Sequence, residues 1–391
     1  MAVIDAPLEP SSSFDASEVI TVSSAHFVHD LYSSFLAPLL PVLIESFSLT
    51  KTAAGLLSIF YQWPSLLQPL IGHLGDRVNL KYLVIMAPTV AAVLMTLLGI
   101  VPTYAILALL LIVAGLNSAG LHSIGPVIVG FFSKKKLGQG MSYWMVGGEF
   151  ARTLGPVLVV SVVSWLTPRG LPWLIIGGVA ASAMLFFRLR DITDYRPPRD
   201  TSSSWGEAYR NVRPILLPIA AVITFRALLF SSFTTFLPTY LTGTGTGLWL
   251  AGASLSVMEV AGVVGALTGG MISDRLGRRG VMAVMTLVAP LAVLLFLNVS
   301  GWLVFPLLLL IGLTLLSTTP VIMALVQERA KGSRALANGI YMALNFSITS
   351  LATLAAGMIA DRFGLNTAFL VGALLMLVGL PAVWMLPKGK V

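Results

Sequence analysis

The chain has no cysteine and little charge: only 10% of its 391 residues are Asp, Glu, Lys or Arg. Without cysteine there is no disulfide, no thiolate nucleophile and no cysteine-based metal site. Soluble domains are about 25% charged, so this shortage excludes an ordinary water-facing surface. Histidine is also rare, at positions 26, 29, 73 and 122, with no His-Glu-x-x-His zinc spacing. No metal and no cofactor are expected. A Walker-type phosphate loop is missing, and no connection is long enough for a soluble nucleotide-binding domain. ATP is therefore not the direct energy source. No nucleophile elbow and no aspartate pair on adjacent apolar stretches occurs, which argues against an intramembrane enzyme. Residues 1–18 lack a basic stretch and a cleavage site and read as a short cytoplasmic tail rather than a signal peptide.

Apolar side chains are plentiful: 57% of the chain is hydrophobic and the mean hydropathy is +0.91. A soluble fold of this size cannot hide so much apolar surface. Lipid is the solvent instead, at roughly 20 residues per helical crossing. Twelve apolar stretches lie at about 19–44, 53–74, 80–100, 103–132, 138–166, 171–188, 214–241, 248–273, 280–298, 301–326, 335–360 and 366–386. Nineteen of the 24 Lys and Arg fall in or beside alternate connections. Three (Lys51, Arg169 and Arg362) fall on the opposite side, and two (Arg152 and Arg226) lie inside apolar stretches. That bias puts both termini in the cytoplasm of a plasma-membrane protein with an even number of crossings. It also explains the net charge of +8 without nucleic-acid binding. The longest polar stretch, about 189–213, separates a first half (19–188) from a second (214–391). Pro197, Pro198 and a serine run disfavour a rigid helix there. Trp205 to Val212 has the pattern of a short amphipathic helix on the membrane surface.

The two halves carry matching features. GHLGDRVNLK (72–81) follows the second apolar stretch and GMISDRLGRR (270–279) follows the eighth, with Asp76 and Asp274 198 residues apart. At the same offset Ser33-Ser34-Phe35 matches Ser231-Ser232-Phe233, Tyr32 matches Phe230, and Tyr143 matches Tyr341. Several matches at one offset indicate a duplicated six-span unit. The loop Gly72-x-Leu-x-Asp76-Arg77, repeated in form at Asp274-Arg275, resembles the signature of the major facilitator superfamily. Gly147-Gly148 with Gly155-Pro156 resembles that superfamily's antiporter motif. His26-Phe-Val-His-Asp-Leu-Tyr and Gly120-Leu-His122-Ser-Ile-Gly-Pro126 resemble its fosmidomycin-resistance group of drug exporters. The resemblance implies an all-α membrane protein with twelve transmembrane helices in two pseudo-symmetric six-helix bundles. It implies gating by Gly72, Asp76, Arg77, Asp274, Arg275, Gly155 and Pro156, in which carboxylates at helix ends latch the cytoplasmic side. Many drug antiporters of the superfamily have an arginine in span four. This chain has none between Thr103 and Phe132, so the usual proton carriers do not transfer. Asp361-Arg362-Phe-Gly364 repeats the signature on the outer face and reads as an ordinary helix-ending turn, with an outer latch as the alternative.

Charges at membrane depth cost roughly 2.5–3.5 kcal/mol each on insertion scales and mark function. His26 and Asp30 are four apart on one face of span one, followed by Ser34. They are the first choice for proton coupling, against a purely structural pair. His29 points elsewhere, toward a cap or headgroups. Glu149 and Arg152, three apart on span five, are either a structural brace or a proton and anion site. Arg226 has no acid three or four residues away. The 198-residue offset sets it at the depth of Asp30 on the opposite wall, either to bind substrate or to brace against Asp30 or Glu259. Glu259, alone among Gly252, Ala253, Gly262 and Gly265, is a further proton-coupling candidate. His122 with Asn117 and Ser118 forms a hydrogen-bonding cluster above Pro126, for substrate or for structure. Tyr32, Trp63, Trp144, Phe225 and Tyr341 are candidates for lining an amphipathic pocket, against plain packing or a lipid-facing position.

The expected function is a secondary active transporter: a proton-coupled antiporter that exports drug-like or anionic amphiphilic molecules by alternating access. Uptake of an organic anion, a carboxylate or phosphonate held by Arg152 and Arg226, is the alternative. An intramembrane enzyme and a non-transporting sensor are the weaker classes. The partners are a small-molecule substrate, protons and the lipid bilayer, and the chain is expected to act as a monomer.

Overall fold

The computed structural model describes residues 14–75, 78–190, 205–329 and 334–387. Asp76, Arg77 and most of the central polar stretch lie outside these. Every regular element among the described residues is helical: α1 (Ala16–Ser33), α2 (Leu36–Phe47), α3 (Lys51–Gln62), α4 (Gln68–Gly75), α5 (Lys81–Leu97), α6 (Tyr104–Ser133), α7 (Leu137–Leu166), α8 (Ile175–Leu189), α9 (Trp205–Gly243), α10 (Leu248–Leu276), α11 (Arg278–Phe296), α12 (Val304–Leu315), α13 (Thr318–Arg329), α14 (Arg334–Phe363), α15 (Leu365–Val378) and α16 (Leu380–Trp384). Among the described residues ten helical stretches are long and apolar enough to cross a membrane, and α5 is a shorter apolar helix. Their outer faces suit lipid: Trp165, Trp302 and Leu217 are 79%, 73% and 71% exposed.

Prolines explain where apolar stretches bend. A helical proline lacks the N–H that would bond four residues back. Pro38 cannot bond the Ser34 carbonyl, and α1 gives way to α2 at Ser34-Phe35. Pro320 cannot bond the Leu316 carbonyl, and α12 gives way to α13 at Leu316-Ser317. Pro64 sits in the 3-10 turn Trp63–Leu67 between α3 and α4, and Pro381 follows the break between α15 and α16. Pro214 is no such barrier. The segment Trp205 to Val212, expected as a separate surface helix, is the first two turns of the 39-residue α9.

The helices pack where side chains are small. α7 lies against α1. A Cβ on Gly155 would collide with Ser34 Oγ and come within 2.6 Å of the Leu31 carbonyl oxygen, and one on Gly147 would come within 2.6 Å of the Ser23 carbonyl. Contacts between the first and second halves of the chain include α7 against α10, α3 against α14 and α2 against α9. Two of these carry polar ties: α7–α10 and α3–α14. In the first, Trp249 Nε1 donates to Ser161 Oγ at 3.0 Å. The second is closed by Asp361 at the end of α14. Its carboxylate accepts from the Lys51 N–H (2.5 Å), the Thr52 N–H (2.9 Å) and the Thr52 hydroxyl (2.5 Å). Those N–H groups open α3, where no intrahelical acceptor exists and the helix dipole favours an anion. Asp361 is thus a clasp between α14 and α3, not merely the end of a turn. The opposite end has its own knot. Arg278 at the start of α11 pairs with Asp274, with Ser273 and, at 2.8 Å, with Glu328 on α13.

Candidate functional site

The buried polar residues of α1, α6 and α7 gather around Asp30. His26 and Asp30 meet as their spacing requires, Nε2 to Oδ2 at 3.1 Å. His122 reaches them from α6, with its Nε2 3.2 Å from His26 Nε2 and 3.6 Å from Asp30 Oδ2. Each imidazole is fixed at its other nitrogen. His26 Nδ1 is 2.9 Å from the Trp144 carbonyl oxygen, and the Trp144 ring stacks on His26 with centroids 3.8 Å apart. His122 Nδ1 is 2.9 Å from the Ser118 carbonyl oxygen. A carbonyl only accepts, so both Nδ1 atoms carry a hydrogen, and in the neutral form of each ring Nε2 presents a lone pair. His29 was expected to point away. It is fully buried instead, and its Nδ1 lies 2.8 Å from Asp30 Oδ1. Adjacent helical residues do not normally face one another, so the sequence held no signal for this third imidazole. Asn117 leaves the cluster, donating to the Ala87 carbonyl on α5 at 3.0 Å. Ser118 stays in it.

A second group links α7 to α10. Arg152 pairs with Glu149 one turn back, and its Nε lies 3.8 Å from Glu259 Oε2 on the facing helix. The acids are nearly enclosed, at 16% and 12% side-chain exposure, while Arg152 is 47% exposed. Two carboxylates share one guanidinium. Glu259, read as solitary from sequence, has its partner on another helix, and the brace from Arg226 to Glu259 does not form.

Arg226 on α9 is 2% exposed. Its Nη2 donates to Thr319 Oγ1 at 3.1 Å and reaches the Leu315 carbonyl at 3.5 Å, and the guanidinium lies over the Phe230 ring at 4.4 Å. Nε and Nη1 are buried without a hydrogen-bond partner among the described residues. The Tyr341 hydroxyl on α14 and Asn345 Oδ1 are in the same condition, and Tyr341 is an electrostatic neighbour of Arg226. Thr319 was not singled out from the sequence. It stands beside the break before Pro320, which is the one cue to it. Tyr32 belongs elsewhere: it is buried, packs on Phe35 and donates to the Leu174 carbonyl at 2.5 Å.

Among the gating candidates, Gly155 sits in the tight α7–α1 contact and Pro156 follows it within α7. Gly72 faces open space. Asp274 is held by Arg278, and Arg275 is exposed at the end of α10. Asp76 and Arg77 lie outside the described residues.

A sequence profile described as Major Facilitator Superfamily matches residues 22–353 and 260–390. The fosmidomycin resistance protein of Escherichia coli (strain K12) is 22% identical over 379 residues, covering 93% of this chain and 91% of that protein. A protein of Arabidopsis thaliana that carries the name glycerol-3-phosphate transporter 1 is 26% identical over 271 residues, covering 59% of this chain and 52% of that one. Among solved structures, a bacterial homologue of the human lysosomal transporter Spinster, inward-facing and unoccupied, superposes with a TM-score of 0.80. It is 14% identical and covers 94% of this chain and 96% of its own.

Proposed function

The chain belongs to the Major Facilitator Superfamily, among transporters rather than enzymes, and on that premise we propose that it is a proton-coupled antiporter exporting anionic amphiphilic molecules. In this reading the ten long helices, α5, and the broken pair α3 and α4 make twelve crossings in two six-helix bundles. A matched detail supports the duplication. Ser34 Oγ donates to the Leu31 carbonyl at 2.8 Å, and 198 residues later Ser232 Oγ donates to the Leu229 carbonyl at 3.1 Å.

The observation that carries the proposal is Arg152 shared between Glu149 and Glu259. With both acids ionised the group has one negative charge in excess at membrane depth, where charge is expensive. One proton makes it neutral. Because Glu259 is on α10 and Arg152 on α7, a proton on Glu259 also releases a tie between the two bundles that must rock. Of the coupling candidates we therefore favour Glu259 with Glu149 over His26 and Asp30, whose carboxylate is already packed among three imidazoles. Arg226, with Thr319 and Tyr341 beside it, is the anion site, and its unmatched donors suit a carboxylate or phosphonate. His122 and Asn117 then stand outside the substrate contact.

The test uses proteoliposomes, with fosmidomycin as the first probe because the Escherichia coli relative is named for resistance to it. E259Q is expected to lose accumulation driven by an imposed pH gradient while keeping substrate exchange. A variant that still accumulates against its gradient removes Glu259 from the coupling path. Uptake of an organic anion is the second reading, favoured by Arg226 and by the Arabidopsis relative's name. The sign of the pH gradient that drives accumulation separates the two.

A further inference from the structure

We propose that His26, His122 and Asp30 form a site for one divalent transition-metal ion of the zinc type, with a fourth position open to water or to an oxygen donor. The inference does not depend on the antiport reading.

With both imidazoles neutral, three lone pairs converge with no hydrogen between them. His26 Nε2 and His122 Nε2 are then both acceptors, because each Nδ1–H is committed to a backbone carbonyl, and both face the same carboxylate oxygen. Such a cluster calls for a cation at its centre. The spacing fits a particular kind. A tetrahedral zinc ion with bonds of about 2.0–2.1 Å holds its ligand atoms about 3.3 Å apart. The three edges here are 3.1, 3.2 and 3.6 Å. A proton, by contrast, bridges two atoms at a time and does not explain why three are gathered.

The surroundings are those of metal ligands. Zinc-binding imidazoles donate their other N–H to a carbonyl or carboxylate, and binding carboxylates are themselves hydrogen-bonded. All three ligands meet this: Trp144 for His26, Ser118 for His122, and His29 for the second oxygen of Asp30. Gly148 leaves the room required, since a Cβ there would come within 3.2 Å of Asp30 Oδ2 and against the His26 ring. Trp144 closes the far face of His26. His122 keeps 31% of its side chain exposed, so a fourth ligand enters from that side. Two imidazoles and one carboxylate favour zinc, cobalt or nickel over magnesium or calcium, which prefer oxygen alone.

The full chain is purified in detergent, freed of any affinity tag, stripped with chelator and titrated with Co2+ alone and then Zn2+ alone. One equivalent of Co2+ should bind with the intense visible bands of four-coordinate cobalt, and Zn2+ should displace it. Zn2+ should also raise Tm in a saturable way, as a ligand of the native state does, and Mg2+ should not. H122N, altered at the most exposed ligand, should bind Co2+ about tenfold or more weakly with an unchanged metal-free Tm. No stoichiometric binding by the wild type overturns the proposal, as does a cobalt spectrum that H122N and H26Q leave unchanged. If H122N does not fold, the coordination number and stoichiometry of the wild type decide.

Discussion

The guanidinium of Arg226 uses only Nη2, toward Thr319 and the Leu315 carbonyl, and keeps Nε and Nη1 buried without acceptors. A buried donor without a partner costs about 1–3 kcal/mol, and more when charged. In the proposed reading such a residue is held for a ligand at the expense of stability. R226M should therefore match or exceed the wild-type Tm in thermal denaturation while losing affinity for anionic substrate. R226K keeps the charge but not the fork that fits a carboxylate or phosphonate. It should weaken binding by about tenfold or more, since charge-assisted hydrogen bonds are worth about 1.5–3 kcal/mol. Spacing within one helix revealed the His26–Asp30 and Glu149–Arg152 pairs. It could not reveal His122 on Asp30 or Glu259 on Arg152, because those partners lie 92 and 107 residues apart in the chain and meet only through helix packing. For the same reason the histidine spacing shows no zinc motif. Position matching also had limits: Tyr143 is exposed and its counterpart Tyr341 is fully buried.

Helices in this molecule approach as closely as their glycines allow. The Cβ of an alanine at 155 would meet Ser34 and the Leu31 carbonyl of α1, and backbone atoms cannot yield as a flexible side chain can. G155A should lower stability by about 1–3 kcal/mol through overpacking. G72A, inside α4 with nothing within 4 Å, should match or slightly exceed the wild-type Tm, since alanine suits a helix better than glycine. Thermal denaturation of the two variants side by side checks both. Apolar run length located most of these elements, and the prolines that interrupt them were visible too. What run length could not supply was which prolines break a helix. Pro38 and Pro320 do, whereas Pro126, Pro156 and Pro290 lie within continuous helices.

Across the whole molecule, the α3–α14 contact joins the first half of the chain to the second at the end that carries Asp361. Gly357 lets it form, because a Cβ there would stand 2.7 Å from Thr52 Cα, and Asp361 fastens it. D361N removes the charge that complements the α3 N-terminus. It should shift the population about tenfold toward states open at that end, for a loss of about 1.4 kcal/mol. The absence of native cysteine makes this directly measurable: spin labels at I100C and N366C would be the only two, and their distance distribution should gain a longer component. An unchanged distribution would make the clasp dispensable. The motif Asp361-Arg362-Phe-Gly364 was legible as a repeat of the signature loop, but its partner, the backbone of Lys51 and Thr52 some 310 residues earlier, was not. That partner has a consequence for how the sequence can drift. Two of the three donors are main-chain amides, supplied by any residue except proline. One side of the clasp is therefore almost immune to substitution, while the other hangs on a single carboxylate. A saturation library scored for function should be flat at position 51, apart from proline, and steep at position 361.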